Sequence, residues 1–175
     1  EPASMRQRLP DSSSDMPTCR TGVITNKTEH IAWIDDLQAG WYMNFGADLP
    51  PAPNGAEYVP LIWVKQARDG SGNYLPYPVI WPALNDGPSG LGSHLANRPG
   101  ALWVVGNEVD RGSTSGSSGQ GDMYPEMYAQ TYHDVYHFIK DRDPTAKVAN
   151  SGLLQVTPGR LQYLDIVWDT YLDKY

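Results

Sequence analysis

Short apolar runs closed by turn-forming residues alternate along this chain with stretches whose apolar residues recur every three or four positions. The first pattern reads as strands and the second as amphipathic helices. Apolar runs predict strands at 21–25, 41–45, 58–64, 102–106 and 147–153. Pro60 sits awkwardly inside the third, because proline removes a ladder donor; a bulge or strand start would accommodate it. Asn26 with Glu29 three positions on has capping-box spacing. It predicts a helix to about residue 38, with Ile31, Ile34 and Leu37 on one face and Gly40 as its stop. The clearest helix spans 125–141, with Tyr128, Tyr132, Val135 and Ile139 as its stripe and Pro144 just beyond it. Thr157-Pro158 is an N-cap followed by an N1 proline. Leu161, Leu164, Trp168 and Leu172 mark the expected buried face of that last helix. Residues 65–99 are rich in Gly and Pro and predict long loops, with one short helix near 91–97. The strand–helix alternation predicts an α/β fold with a parallel sheet.

Composition narrows the possibilities. At 175 residues and a formal net charge of −7, the chain is long enough for one domain with a real core. The acidic balance argues against a nucleic-acid partner, which needs a basic stripe. No apolar run approaches the roughly 20 residues of a membrane span. A single cysteine, Cys19, leaves no internal disulfide and no cysteine-rich metal site. Residues 1–18, rich in Ser, Pro, Asp and Arg, are expected to be a disordered linker, leaving 19–175 as the domain. No signal peptide is visible, and a start without Met suggests processing or truncation. Six Trp and eleven Tyr against two Phe are a load of flat rings with polar edges.

The strand Leu102-Trp103-Val104-Val105 runs straight into Gly106-Asn107-Glu108-Val109-Asp110. Parallel sheets keep their chemistry at the carboxyl ends of strands, so an Asn-Glu pair there is a candidate site. A carboxyl held between apolar walls suits general-acid work. The bland alternative for Glu108 is a helix-capping or ion-paired carboxylate.

Gly106-Asn107-Glu108 resembles the motif closing the fourth strand of clan A glycoside hydrolases. Gly40-Trp41-Tyr42-Met43-Asn44-Phe45-Gly46 and Glu57-Tyr58-Val59-Pro60-Leu61-Ile62-Trp63 resemble two strands of the glucanase-like glycosyl hydrolase catalytic core. The three motifs match in order and spacing and cover roughly residues 21–175. Val109 stands where the family pattern usually has Pro. The resemblance implies the N-terminal part of a (β/α)8 TIM barrel, about its first five strands. It implies a retaining hydrolase of O-glycosidic bonds, with Glu108 as acid/base and Asn107 as substrate contact. It places the nucleophile at the end of strand seven, a position that no residue of this chain matches. It implies a carbohydrate partner, no cofactor and no metal, and an extracellular or cell-surface setting.

Asn44 and Trp63 lie near carboxyl ends of their strands, as a pocket-lining amide and a stacking platform; ordinary packing is the alternative for both. Lys65 reads as a solvated loop charge. Asp110 to Gly121 reads as a lid or as a surface insertion. His133 and His137, four apart, have zinc-motif spacing, but Asp134 replaces the catalytic Glu and no third ligand is marked. Asp165, Asp169 and Asp173 read as a solvated helix face. A barrel stopped after five strands is expected to associate or aggregate and to be inactive as a retaining enzyme, Asp110 being the first candidate for a second carboxyl if it is not. The rival function is a non-catalytic carbohydrate-binding or scaffold protein on the same fold.

Overall fold

The computed structural model describes residues 21–48, 55–112 and 121–175. The expected linker, Cys19 and most of the expected lid lie outside these residues. Elements follow in the order β1 (Gly22–Ile24), a 3-10 turn (Thr28–Ala32), α1 (Trp33–Asp36), β2 (Trp41–Met43), β3 (Glu57–Tyr58), β4 (Leu61–Arg68) and β5 (Tyr74–Trp81). Then come α2 (Leu91–Ala96), β6 (Leu102–Val105), α3 (Pro125–Arg142), β7 (Lys147–Asn150) and α4 (Pro158–Lys174). The architecture is mixed α/β with one parallel sheet ordered β1-β2-β3 and one ordered β5-β4-β6-β7 that is parallel except for β5.

The two sheets share one stretch of chain. Residues 57–58 pair parallel with β2, and Leu61 and Ile62 pair parallel with β6. Pro60 sits at the handover, where its missing N–H costs nothing, and its carbonyl accepts the Val104 N–H at 3.0 Å. The five parallel segments predicted from the apolar runs are therefore present in chain order, with β3 and β4 as one of them.

Three expectations are corrected. First, residues 65–68 and 74–81 are not loop: β4 continues to Arg68 and, after a turn, β5 returns antiparallel to it, with Trp63 opposite Trp81 and Lys65 opposite Val79. Pro76, Pro78 and Pro82 hid this strand, but β5 is an edge strand, where proline is tolerated. Second, the first helix is only a 3-10 turn and one α-turn, and Asn26 does not cap it. The Thr25 hydroxyl governs the turn, donating to Lys27 O at 2.9 Å and accepting the Lys27 N–H at 3.3 Å. Gln38, at φ +52°, takes the left-handed position expected of Gly40, and Leu37 is exposed. Third, α4 docks through Tyr163 and Val167, about 100° round from the expected stripe. Leu161, Trp168 and Leu172 are exposed.

Helix α3 matches its expected stripe, with Tyr128, Val135 and Ile139 buried. They pack with Leu91 and Leu95 of α2 against Ile62, Val64, Trp103 and Val105. This defines the covered face of the larger sheet. Trp63, Lys65 and Val104 alternate with those residues and occupy the opposite face. A second cluster joins Ile31, Ile34, Tyr42 and Tyr58.

Candidate active site

At the end of β6 the backbone needs a glycine. Gly106 has φ +90°, and a Cβ there would lie 2.7 Å from Val109 Cγ1 and 3.1 Å from Val64 Cγ2. Its N–H bonds Ile62 O at 2.8 Å, so the chain leaves the sheet level with Trp63 on β4. Val109, where the resembled pattern has Pro, is buried and lies against Gly106 and Gly121.

Glu108 is held at φ +50°, a conformation rare for a residue with a Cβ. Backbone bonds fix it on both sides: its N–H donates to Gly152 O beyond β7 at 3.2 Å, and its carbonyl accepts the Arg111 N–H at 3.0 Å. Its side chain is 25% exposed, with Oε2 3.8 Å from the Arg111 guanidinium. Oε2 is sealed from solvent and has no hydrogen-bond partner among the described residues.

Asp110 has a different role. Its buried carboxylate accepts the Leu154 N–H at 3.1 Å through Oδ1 and pairs with Arg160 at 2.5 Å through Oδ2. It ties the Glu108 turn to the loop after β7 and to the first turn of α4. From the other side, Gln66 N–H donates to Asp122 O at 3.0 Å, and Gln66 Oε1 accepts the Tyr124 N–H at 3.0 Å. The Asp122 carboxylate receives both the Tyr74 hydroxyl and the Arg68 guanidinium. Burial, and then that bond to Asp122, push the Tyr74 phenol up to about 12. The β4–β5 hairpin thus pins the returning end of the 107–123 loop.

Tyr128 closes the back of this region. Its hydroxyl donates to Val105 O at 2.8 Å and accepts the Ser151 N–H at 2.7 Å, bridging the ends of β6 and β7. Burial pushes this phenol far above its ordinary range.

The predicted site residues are placed as follows. Asn107 and Glu108 lie together past the carboxyl end of β6, and the Asn107 carbonyl accepts the Gly121 N–H at 3.0 Å. Asn44 lies just past the carboxyl end of β2, but its side chain shapes a turn. Its Oδ1 accepts the Gly46 N–H at 3.0 Å and the Tyr58 hydroxyl at 2.6 Å. Trp63 is half-buried, with the Lys65 ammonium 4.9 Å over its ring, so Lys65 is a strand residue and not a loop charge. His133 and His137 sit on α3 among aromatic rings: His133 stacks on Tyr175 at 3.5 Å and lies 3.4 Å from the Tyr171 hydroxyl. Two concavities of about 500 Å³ each, one beside Tyr58 and Arg98 and one beside Tyr132 and Trp168, are not lined by Glu108.

Sequence reasoning missed Arg111, Arg160 and Trp81. The three-residue spacing of Arg111 from Glu108 was a usable signal. So was the alternation of Tyr77, Val79 and Trp81, masked by the prolines between and after them. Arg160 had none, because its partner is fifty positions away.

No protein-family model matches this chain, and no curated protein matches it. In fold it is similar to the crystal structure of a GH128 (subgroup III) curdlan-specific exo-β-1,3-glucanase from Blastomyces gilchristii in complex with glucose. The TM-score is 0.61 at 16% identity, over 90% of this chain and 57% of that one. The chain spans a little over half the length of that enzyme, and at this identity the likeness is one of fold. No helix among the described residues is long and apolar enough to cross a membrane.

Proposed function

We propose that this chain forms the first five strands of a (β/α)8 glycoside hydrolase domain of clan A type, acting on a β-glucan with retention, with Glu108 as the general acid/base. One observation carries the reading. Glu108 lies three residues past the carboxyl end of β6, in a backbone conformation unfavourable to it, with one carboxyl oxygen shielded from water and without a hydrogen-bond partner among the described residues. Strain and an unsatisfied buried acceptor are tolerated where a group has work other than stability. The fold likeness to a structure described as a glucanase supports the substrate class, and an extracellular or cell-surface setting goes with it.

Glu108 would protonate the leaving glycosidic oxygen and then deprotonate the attacking water, while Arg111 keeps the carboxylate form compensated. Asn107 would hold a sugar hydroxyl beside the reacting carbon. The retaining route also needs a nucleophilic carboxyl about 5–5.5 Å from Glu108. Asp110 is committed to Arg160, so that group comes from another element. The same commitment favours the second reading, a carbohydrate-binding domain without turnover.

In any preparation of this protein that cleaves an unactivated β-1,3-glucan, Glu108→Gln is expected to cut kcat/KM by about 10²–10⁴-fold. Aryl glycosides with good leaving groups should lose far less in the glycosylation step, because they need little protonation. Near-normal cleavage of the polysaccharide by the variant would overturn the assignment. Binding of glucan without cleavage by the intact protein would select the second reading.

A further inference from the structure

Strand β5 presents its aromatic residues to solvent in a regular way. Tyr77, Val79 and Trp81 are 53%, 37% and 51% exposed, while Pro78 and Ile80 between them are half-buried. Directly opposed residues of an antiparallel pair share a face. The register Trp63 opposite Trp81 and Lys65 opposite Val79 therefore puts these residues on the face away from the helices. Ile62 and Val64, pointing the other way, are fully buried.

The stripe begins beside the candidate active site. Ile62 O accepts the Gly106 N–H at 2.8 Å, so Trp63 is one residue past that link and Glu108 two residues past it on the other strand. From Trp81 to Tyr77 the strand rises about 13 Å, the reach of two to three hexopyranose rings. Trp63 is not the open ring of the set, because the Lys65 ammonium lies over it. That role falls to Trp81, and Lys65 keeps N–H donors for hydroxyl groups.

Two observations decide what the stripe receives. Three side chains on one strand fall far short of the roughly 800 Å² per partner of a specific protein interface. And β5, an edge strand, carries Pro76 and Pro78, which lack the N–H groups that an added strand would need. A flat-faced ligand that hydrogen-bonds at its rim fits; a protein strand does not.

We propose that Trp81 and Tyr77, with Val79 between them and Lys65 alongside, form a binding platform for an uncharged β-linked hexopyranose chain leading away from the Glu108 cleft. The location rests on the glycoside hydrolase reading, but the platform is tested by binding and not by turnover.

The test is calorimetric titration of the chain with β-1,3-glucose oligomers of two to six units, with glucose as the short control. Wild type is expected to bind the oligomers and to tighten with oligomer length. Trp81→Ala should bind the longer oligomers about tenfold more weakly, and Trp81→Phe should recover most of that loss. Tyr77→Ala should flatten the dependence on length, and it carries the test if Trp81→Ala fails to fold. Unchanged oligomer binding by folded Trp81→Ala and Tyr77→Ala would overturn the platform while leaving the Glu108 assignment intact. Absence of oligomer binding by wild type would also overturn it. So would self-association of the wild type that Trp81→Ala abolishes, since the stripe would then be a protein contact. Failure of the Glu108 assignment shows separately, as full turnover by Glu108→Gln, and failure of the hydrolase reading as glucan binding without cleavage by the intact protein.

Discussion

Glu108 shows how a single residue can be placed against its own preference. A left-handed backbone costs a residue with a Cβ about 1–2 kcal/mol, and here the Gly152 and Arg111 backbone bonds enforce it. Glu108→Gly should relieve that cost and, among the described residues, lose only a distant ion pair, since Oε2 is 3.8 Å from Arg111. The variant is expected to melt no lower than wild type in a calorimetric scan, even though any Glu108-dependent cleavage disappears. A drop of several degrees would mean that the side chain holds the turn together. Glu108 was legible in the sequence because an apolar run ending in Gly-Asn-Glu marks the end of a buried strand. Asn44 was legible in position only: the period-2 pattern put it near a strand end, but not its oxygen on the Tyr58 hydroxyl, fourteen positions away.

At the scale of elements, local chemistry decided what could be read. Helix α3 was predictable because its stripe, N1 proline and trailing Pro144 agree. Strand β5 was not, because its prolines look like loop until the edge position is known. The turn after α3 carries its own pH dependence. Asp143 accepts the Thr145 hydroxyl at 2.5 Å and N–H at 3.0 Å, and the Gly100 N–H at 2.7 Å. The Thr145 hydroxyl, then the Gly100 N–H, hold this carboxyl below its ordinary value. As pH falls through about 4, the unfolded chain takes up its proton first. The stabilisation is therefore complete above that pH and fades as the native carboxyl titrates below it. Asp69 and Asp86 are lowered as well, by Asn73 and by Arg142. Asp143→Asn should thus flatten, not abolish, the acid limb of stability, and cost about 1–3 kcal/mol at pH 7. Urea unfolding of both proteins between pH 3 and 7 measures this, and parallel acid limbs would refute it.

The whole molecule keeps apolar surface in the open. Strands β1 and β7 are sheet edges, and Leu161, Trp168 and Leu172 of α4 are 43%, 63% and 60% exposed. Surface of this kind favours association. The chain should sediment with a mass that rises with concentration, and the double variant Trp168→Glu with Leu172→Glu should hold it closer to the monomer with little change in melting temperature. Mass independent of concentration in the wild type would contradict this. The sequence showed that these residues are apolar. It did not show which way they point, because Tyr163 and Val167 offered the helix a competing face, and only the packing of α4 on α3 chose between the two.

The Tyr128 hydroxyl gives the fold an internal clock. The Ser151 amide hydrogen is held by a phenol on α3 and not by a neighbouring strand. Its exchange with deuterated solvent is therefore gated by departure of the helix, not by fraying of the β7 edge. In a hydrogen-exchange experiment Ser151 should keep time with the amides of Val135 and Ile139, and outlast that of Asn150 at the end of the edge strand. Tyr128→Phe should uncouple it and speed it selectively. The rate of that one amide would then report how often the floor beneath Glu108 comes apart.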